Sequence, residues 1–393
     1  MNGEDQYLGH IYQRFPVNIA RGKGAKVWDT SDREYIDCMG GYGVAIVGHC
    51  NDRVVQAIRT QVEKLIVCHM SLYNDTRLKF LQKLSTITPA GLDKIFFSNS
   101  GAEAVEAALK FSRKFTGKAG VIAMNGAYHG KTFGALSVTH NEKYRKSFQP
   151  LLQGVKFVPY ADPSKVEDAV DETIGTVIVE PIQGETGIIV PPDNAIKNIR
   201  KICDQHKLVL VFDEIQSGLG RTGKMWAGQH WNTVPDIMCL AKGIAGGVPM
   251  GLTVARNEII ECIKTGEHSS TFSGNPLACA AGYATLEALT EDKLVENAEK
   301  TGRYFKENLL MLKERHRIVR EIRGLGMMLG VELRFDVKDI LLDAMQRGLL
   351  MLYSGKNIIR LLPPLVMDEQ TVSRAIHIID LVLSEEEKRR HVV

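Results

Sequence analysis

The chain has 393 residues, of which 44% are hydrophobic and 24% are charged. This length can bury a substantial core, so a small scaffold that depends on disulfides is excluded, and two or three domains are expected. The formal net charge of +3 is too balanced for a dedicated nucleic-acid-binding protein. The first residues are polar, and no apolar run approaches the roughly 18 residues of a membrane helix. We therefore expect a soluble, cytoplasmic protein that binds neither membrane nor nucleic acid.

The N-terminal part predicts short strands followed by a helix. Residues 28–38 indicate strands with a turn at 29–32. Asn51 is a typical helix N-cap. The helix that follows it would carry four apolar residues on one face: Val54, Ile58, Val62 and Leu65. We expect residues 1–50 to join a smaller domain.

Short apolar runs alternate with helical patterns between residues 51 and 275. The predicted buried strands are 94–98, 120–124, 176–180, 208–213, 236–241 and 251–255. Residues 102–115 and 194–206 carry apolar side chains at helical spacing. This alternation predicts a large α/β domain with a mostly parallel sheet.

The C-terminal part, 276–393, predicts a smaller α+β domain. A helical region extends from Asn275 to about residue 313, strand-like residues surround a glycine-rich segment at 323–330, and a final helix covers about 368–383. No linker rich in proline, glycine or serine separates these parts, so the domains are expected to be closely joined.

The seven cysteines do not predict a disulfide framework or a metal site. Their number is odd and the chain contains no C-x-x-C, which favours a reducing compartment. The His49–Cys50 and Cys68–His69 pairs, with Cys38, are adjacent residues that lack the usual spacing of zinc ligands. We therefore expect no metal.

Residues 98–103 predict an anion site, because a strand ends there, small residues turn and a helix begins. Free N–H groups and the positive end of a helix favour an anion. Gly101 allows close approach of the backbone, and Ser100 adds a hydroxyl. The segment is not a P-loop, since it lacks G-x-x-x-x-G-K-[ST]. The alternative is an ordinary strand–helix turn with a serine cap.

Asp213 follows an apolar strand, where a carboxylate needs a partner or water. A cationic ring nitrogen would be a suitable partner, and a helix cap or a salt bridge is the commoner alternative.

Lys242 follows the next apolar strand, and Gly243, Gly246 and Gly247 behind it leave room for a ligand. Desolvation lowers the pKa of a lysine and yields the free amine that a Schiff base requires. The alternative is a surface lysine at the edge of a loop. Together the three motifs supply a phosphate cradle, a carboxylate for a pyridinium and a lysine for an aldehyde, which pyridoxal phosphate requires.

With these motifs in place, the sequence resembles the class III aminotransferases, which are pyridoxal-phosphate enzymes of fold type I. The resemblance covers nearly the whole chain, and its anchors are residues 99–104, 126–130, 180–185, 213–223, 241–243 and 270–276. It implies a large domain with a mostly parallel seven-stranded sheet flanked by helices, a smaller α+β domain, and a pyridoxal 5'-phosphate cofactor.

The resemblance also implies roles for individual residues. Lys242 would be the Schiff-base lysine and proton shuttle, and Asp213 would pair with the pyridinium nitrogen. The other cofactor-binding candidates are Ser100, Gly101 and Ala102 for the phosphate, Gln216 for the phenolic oxygen, Tyr128 for the ring face, and Thr271 for the phosphate of the neighbouring subunit. A homodimer with shared active sites follows from the last of these.

Four residues are substrate-binding candidates. Arg360 matches the arginine that grips the carboxylate of glutamate, and Glu185 matches the glutamate that pairs with it when an ω-amino substrate binds. For Arg360 alone, a surface salt bridge is the alternative. Lys131 stands where many relatives carry arginine, so the bidentate fork is lost there. Tyr42 lies in a segment, 35–45, that bears on substrate choice.

Within the family, the resemblance favours the acetylornithine aminotransferase-like branch, and in particular enzymes acting on intermediates tethered to LysW, the small acidic amino-group carrier protein. The expected reaction moves an amino group from glutamate, yielding 2-oxoglutarate, to a carrier-bound semialdehyde in lysine, and in some cases arginine, biosynthesis. The alternatives are an aminotransferase for free N-acetylornithine, a 4-aminobutyrate or pyruvate-using aminotransferase, an aminomutase, and a non-enzymatic carrier-binding protein. A nicotinamide dehydrogenase is disfavoured, because residues 324–330 miss the G-x-G-x-x-G fingerprint by one residue.

Overall fold

The computed structural model describes residues 3–392. The strands are β1 (Ile19–Lys23), β2 (Lys26–Asp29), β3 (Glu34–Asp37), β4 (Lys94–Ser98), β5 (Gly120–Met124), β6 (Val155–Val158), β7 (Ile174–Val179), β8 (Val209–Asp213), β9 (Ile237–Leu240), β10 (Gly251–Ala255), β11 (Val319–Leu325), β12 (Met328–Leu333), β13 (Leu349–Leu350), β14 (Leu352–Ser354) and β15 (Ile358–Leu361). The α-helices are α1 (Gly40–Gly43), α2 (Asp52–Val62), α3 (Asp75–Ser85), α4 (Gly101–Thr116), α5 (Phe133–Ser137), α6 (Glu142–Arg145), α7 (Pro163–Ala169), α8 (Ala195–His206), α9 (Asn257–Glu261), α10 (Pro276–Glu291), α11 (Leu294–Arg315), α12 (Lys338–Gln346) and α13 (Glu369–Arg389).

The central sheet has the strand order β4-β10-β9-β8-β7-β5-β6 within the described residues. Strands β9, β8, β7, β5 and β6 are parallel, and β10 is antiparallel to both of its neighbours. The predicted mostly parallel, seven-stranded α/β sheet is thus confirmed. The edge strand β6 was not predicted, because its sequence Val-Lys-Phe-Val is short and half exposed.

Helices cover both faces of this sheet, so its inner strands are apolar along their whole length. Strands β5, β7, β8, β9 and β10 are buried at every residue. The α4 side chains of Ala104, Ala108 and Phe111 belong to one core cluster. The α8 side chains of Ile199 and Cys203 belong to another. This double burial explains why the strands could be predicted from continuous apolar runs.

Two smaller sheets flank the central one. The first joins β1, β2 and β3 to β13, which pairs in parallel with β3, so the N-terminal segment pairs with a C-terminal strand. The second has the order β11-β12-β15-β14, and all its pairs are antiparallel. The domain boundaries at 50 and 275 stay predictions.

The predicted helical region after Asn275 consists of two helices, α10 and α11, and the break between them was not predicted. The helix is interrupted at Asp292 and Lys293, where Lys293 adopts a left-handed conformation with φ 54°. No glycine or proline marks this break in the sequence. The predicted face of α2 was also partly wrong, because the helix ends at Val62, and Val62 and Leu65 are each 46% exposed.

Among residues 3–392, no helix is both long and apolar enough to cross a membrane. The same part of the chain shows no group of histidine, cysteine, aspartate and glutamate side chains arranged to hold a metal ion.

Candidate active site

The three predicted motifs meet at one edge of the central sheet. Because β10 is antiparallel to both β4 and β9, those two strands run in the same direction, and β8 is parallel to β9. The carboxyl ends of β4, β8 and β9 therefore lie together, and these ends carry Ser98, Asp213 and, two residues past β9, Lys242. Ligands of open parallel sheets bind at such an edge.

The turn from β4 into α4 presents the start of the helix to this edge. Ser100 is the N-cap of α4, and its hydroxyl accepts a hydrogen bond from the Glu103 N–H, while the Glu103 carboxylate accepts from the Ser100 N–H. The N–H groups of Gly101 and Ala102 lie in the first helical turn, where no intrahelical acceptor exists. They remain available for an anion.

Glycine at position 101 allows close packing against the end of β8. A Cβ there would lie 2.8 Å from Cδ1 of Ile215, and the Ile215 N–H donates to Oδ1 of Asp213 at 3.1 Å. A Cβ on Gly130 would likewise lie 2.7 Å from Cβ of Ala102. The helix start, the end of β8 and the loop after β5 are therefore packed against one another.

Asp213 is 5% exposed and forms a hydrogen bond with a buried histidine. Its Oδ2 lies 2.7 Å from Nδ1 of His129, which donates the bond. The Nε2 atom of His129 is buried and has no partner within the described residues. His129 lies in the anchor 126–130, but no local pattern assigns it a role, because its partner is 84 residues away.

Lys242 begins a short 3-10 turn and has φ 48°, in the left-handed region. Burial of the side chain lowers the pKa of Lys242, and Arg360 lowers it further, while Asp213 opposes the shift. A Cβ on Gly243 would lie 2.7 Å from Cγ2 of Ile46, so the chain after the lysine packs tightly. The lysine thus presents an amine that loses its proton more readily than an exposed one.

A second buried carboxylate, Glu180, lies behind the aspartate and was missed by the sequence analysis as a site residue. Its oxygens accept hydrogen bonds from the Tyr128 N–H at 3.0 Å and the Gly184 N–H at 3.2 Å. Burial raises the pKa of Glu180 to about 7, His129 opposes this shift and Asp213 adds to it. Glu180 connects the loop of Tyr128 to the loop that carries Glu185.

Arg360 on β15 is fully buried and forms an ion pair with Glu185. Its Nη1 donates to Oε2 of Glu185 at 2.9 Å and to the Gly184 carbonyl at 3.2 Å, and its Nε donates to the Tyr353 carbonyl at 3.2 Å. Within the described chain, Nη2 is buried and without a partner. The backbone thus fixes the guanidinium and leaves one donor free.

Tyrosines surround this ion pair. The Arg360 guanidinium carbon lies 5.9 Å from the ring centroid of Tyr42, which is 45% exposed and has φ 61°. Burial raises the pKa of Tyr128 to about 12, and Glu185 contributes to the shift. Tyr144 and Tyr353, which the sequence analysis did not select, lie beside the same pair.

Two candidates are placed less directly. The Gln216 Oε1 atom is buried, packs against Gly184 and has no hydrogen-bond partner among residues 3–392. Thr271 is exposed, and its neighbour Ser270 accepts a hydrogen bond from the Asn99 amide at 2.9 Å. The Thr271 loop therefore lies beside the turn from β4 into α4 (residues 98–103, the phosphate turn) of its own chain.

Comparison with known proteins assigns the family. The model of the family described as "Aminotransferase class-III" matches residues 7–383. The acetylornithine aminotransferase of Methanopyrus kandleri is 45% identical over 374 residues, covering 95% of each chain. The ornithine aminotransferase 1 of Staphylococcus aureus is 40% identical over 381 residues, covering 95% of this chain and 96% of that one. The chain belongs to the class III aminotransferases.

Solved structures agree with this assignment. The ornithine aminotransferase of Toxoplasma gondii matches with a TM-score of 0.94 and 33% identity, covering 98% of this chain and 94% of that chain. The acetylornithine aminotransferase of Elizabethkingia anophelis matches with a TM-score of 0.87 and 32% identity, covering 97% of each. The protein is an aminotransferase that uses pyridoxal 5'-phosphate, as the sequence predicted.

Proposed function

We propose that this class III aminotransferase moves an amino group between glutamate and the terminal carbon of an ornithine-type substrate, with N-acetylornithine as the first candidate. The Arg360–Glu185 ion pair carries the proposal. It combines a buried guanidinium, a neutralising carboxylate that is 33% exposed, and an Nη2 donor that is unpaired within residues 3–392. Relatives named acetylornithine and ornithine aminotransferase support the substrate class.

The residues at the sheet edge fit the cofactor. Pyridoxal phosphate, when bound, supplies a ring that withdraws electrons from the carbon bearing the amino group. The free N–H groups of Gly101 and Ala102, with Ser100, would hold its phosphate. The buried Asp213 carboxylate would hold its ring nitrogen, and Gln216, whose amide oxygen has no partner within the described residues, would form a hydrogen bond near its phenolic oxygen.

Lys242 would carry the cofactor aldehyde and then move the substrate proton. Its amine has a lowered pKa because it is buried. A neutral Nζ can accept a proton from the substrate carbon as a general base and return it as a general acid. Tyr128 would cover the ring face, held in place through its N–H by Glu180.

Arg360 and Glu185 would distinguish the two substrates electrostatically. When glutamate binds, its carboxylate would displace the Glu185 side chain and accept from the guanidinium, including the free Nη2. When the ω-amino substrate binds, Glu185 would stay paired, so that no uncompensated charge faces the apolar chain. The bonds from Arg360 to the Gly184 and Tyr353 carbonyls hold the guanidinium in both states.

The acceptor itself separates two versions of the proposal. A substrate tethered to LysW is the finer prediction from the sequence, and free N-acetylornithine is the version that the named relatives support. Lys131 and Tyr42 would contact the part of either substrate that lies away from the transferred amino group.

We further propose a homodimer in which Thr271 reaches the cofactor phosphate of the partner subunit. The segment before α3 exposes an apolar strip made of Leu65, Ile66, Val67, Met70, Leu72 and Tyr73. Phe272, beside Thr271, is 64% exposed. Arg77 connects the two segments by donating to the Gly274 and Leu72 carbonyls. A contiguous exposed apolar surface of this kind is typical of a protein interface.

Single-turnover half-reactions test the substrate proposal. Purified holoenzyme is mixed with glutamate, N-acetylornithine, ornithine, 4-aminobutyrate, or a LysW-bound lysine, and the loss of the cofactor's visible absorption is followed. The proposal expects glutamate and N-acetylornithine to react, and the Lys242→Ala variant to react with either at least roughly 10²-fold more slowly. If glutamate and the LysW-bound lysine react and N-acetylornithine does not, the carrier-bound amine replaces N-acetylornithine as the proposed substrate. Reaction with 4-aminobutyrate alone would contradict both versions.

A further inference from the structure

Tyr144 lies beside Tyr128 at the candidate active site, although neither the sequence motifs nor the cofactor requires it there. It belongs to the short helix α6, and its ring is half-buried. Its ring centroid lies 6.0 Å from that of Tyr128, at an interplanar angle of 81°. This edge-to-face contact places Tyr144 directly outside the residue proposed to cover the cofactor.

Tyr144 also lies within electrostatic reach of the Arg360–Glu185 ion pair. Burial raises the pKa of Tyr144, Glu185 adds to the shift and Arg360 opposes it. Tyr144 also contributes to raising the pKa of the Tyr42 and Tyr128 hydroxyls. Within the described residues its own hydroxyl forms no hydrogen bond. Tyr144 is therefore close both to Tyr128 and to the ion pair.

The same ring holds the position of Lys131. The Lys131 Nζ lies 4.4 Å from the Tyr144 ring centroid, over the ring. Lys131 is exposed and forms no ion pair within residues 3–392. A lysine ammonium moves freely on its four-carbon stem. An aromatic face attracts a cation within about 6 Å. The contact with the Tyr144 ring therefore restricts the position of the Lys131 ammonium.

We propose that Tyr144 is a positioning residue that holds the Lys131 ammonium over its ring, where the ammonium receives the end of the ω-amino substrate remote from the transferred amino group. The substrates selected in this way are ω-amino acids whose remote end carries a carboxylate. Because Lys131 replaces the rigid fork of an arginine with a mobile point charge, the tyrosine supplies the orientation that the side chain lacks. The inference rests on the proposed function.

The test compares Tyr144→Phe with Tyr144→Leu. A phenylalanine keeps the aromatic face and a leucine removes it. The measured quantity is the ratio of kcat/KM for N-acetylornithine to kcat/KM for glutamate. This ratio should fall about 3- to 10-fold in the leucine variant, the size of a cation–π contact, and less than about 2-fold in the phenylalanine variant. Equal falls in the two variants would overturn the inference.

A double-mutant cycle with Lys131→Met shows whether the tyrosine acts through the lysine. The ratio for Lys131→Met combined with Tyr144→Leu should equal that of Lys131→Met alone, since the ring has no cation left to hold. A ratio in the double variant that falls by the product of the two single-variant effects would overturn the inference. Tyr304→Leu, which replaces a half-buried tyrosine on α11, is the matched control for packing loss.

The outcome also separates this inference from the proposed function. A wild-type enzyme that turns over glutamate but no ω-amino acid refutes both. A wild-type enzyme that is active on N-acetylornithine, with a ratio unchanged by Tyr144→Leu, refutes only the role of Tyr144.

Discussion

The carboxylate of Asp213 and the imidazole of His129 form a buried hydrogen bond of 2.7 Å beneath the candidate cofactor site. Asp213 comes from the end of β8, and His129 comes from the loop after β5, so the bond connects two strands that are separated by β7. A carboxylate that faces a ring nitrogen needs a fixed orientation, and this bond supplies it.

Replacing His129 should therefore weaken cofactor binding. The loss of a hydrogen bond to a charged group costs about 1.5–3 kcal/mol, so His129→Ala should raise the Kd for pyridoxal phosphate at least about 10-fold. Equilibrium dialysis of the cofactor-free protein measures this. His140→Ala is the control, because His140 follows α5 and its N–H donates to the Ala127 carbonyl of the loop that carries His129. An equal effect there would show that the packing of this loop, rather than the bond to Asp213, matters.

Glu180 should make stability depend on pH. Its pKa is about 7 in the folded chain, against an ordinary value of 4.5. Between these values the folded state binds more protons than the unfolded state, so the free energy of unfolding falls as the pH rises from about 4.5 to about 7, by up to about 3 kcal/mol.

The Glu180→Gln variant lacks this titration. The stability of the wild type minus that of the variant should therefore decrease between pH 4.5 and 8, as measured by urea unfolding of the cofactor-free protein. Glu214, whose pKa burial also raises to about 7, remains in both proteins and cancels from the difference. A difference that does not change with pH would contradict the assignment of a neutral buried Glu180.

Lys242 should react as a neutral amine at lower pH than an ordinary lysine. Burial lowers the pKa of Lys242 below the usual 10.5. As the pH rises, its amine therefore loses its proton at a lower pH than the amine of an ordinary lysine. Limited modification of the cofactor-free protein with an amine reagent across pH 7–11, followed by peptide mapping, measures this. The Lys242→Ala variant identifies the peptide, and it should also lose roughly 10²- to 10⁴-fold in kcat. A modification profile centred at 10.5 or above would contradict the expectation.

Glu185→Gln should shift substrate preference toward glutamate. Without the carboxylate, Arg360 keeps its charge and offers both Nη atoms to a substrate carboxylate. The preference for glutamate over N-acetylornithine, as a ratio of kcat/KM values, should rise by about one order of magnitude, which corresponds to about 1.4 kcal/mol. Arg360→Lys should lower the preference for glutamate, because a lysine lacks the bidentate fork of the guanidinium. Parallel losses for both substrates in Glu185→Gln would argue against a switch.

Gly302 should be intolerant of any side chain. It lies in the middle of α11, where a Cβ would lie 2.3 Å from the backbone of Gly326. Backbone atoms cannot move aside, so Gly302→Ala should destabilise the protein by about 1–3 kcal/mol although alanine favours helix. The midpoint of urea unfolding measures this. Glu307→Ala, on the exposed side of the same helix, should stay within about 0.5 kcal/mol of wild type.

The sequence predicted the central sheet and the cofactor motifs because both are local. Strands β4, β5 and β10 have the predicted bounds. Strands β5 and β10 are buried at every residue, and a strand buried on both faces is a continuous apolar run. The phosphate turn, Asp213 and Lys242 each follow such a run. The rule that ligands gather at the carboxyl ends of parallel strands was then enough to bring them together.

The tertiary structure decided what depends on residues far apart in the chain. His129 and Asp213 are 84 residues apart, and Glu185 and Arg360 are 175 residues apart. Family resemblance suggested the second pair, but no local pattern predicts either contact. The break between α10 and α11 was missed for the same reason, because Lys293 adopts its left-handed conformation without a glycine or proline to mark it. Local side-chain periodicity specifies which segments form strands and helices, whereas the partner of a buried charge is fixed only when the packed chain excludes water around it.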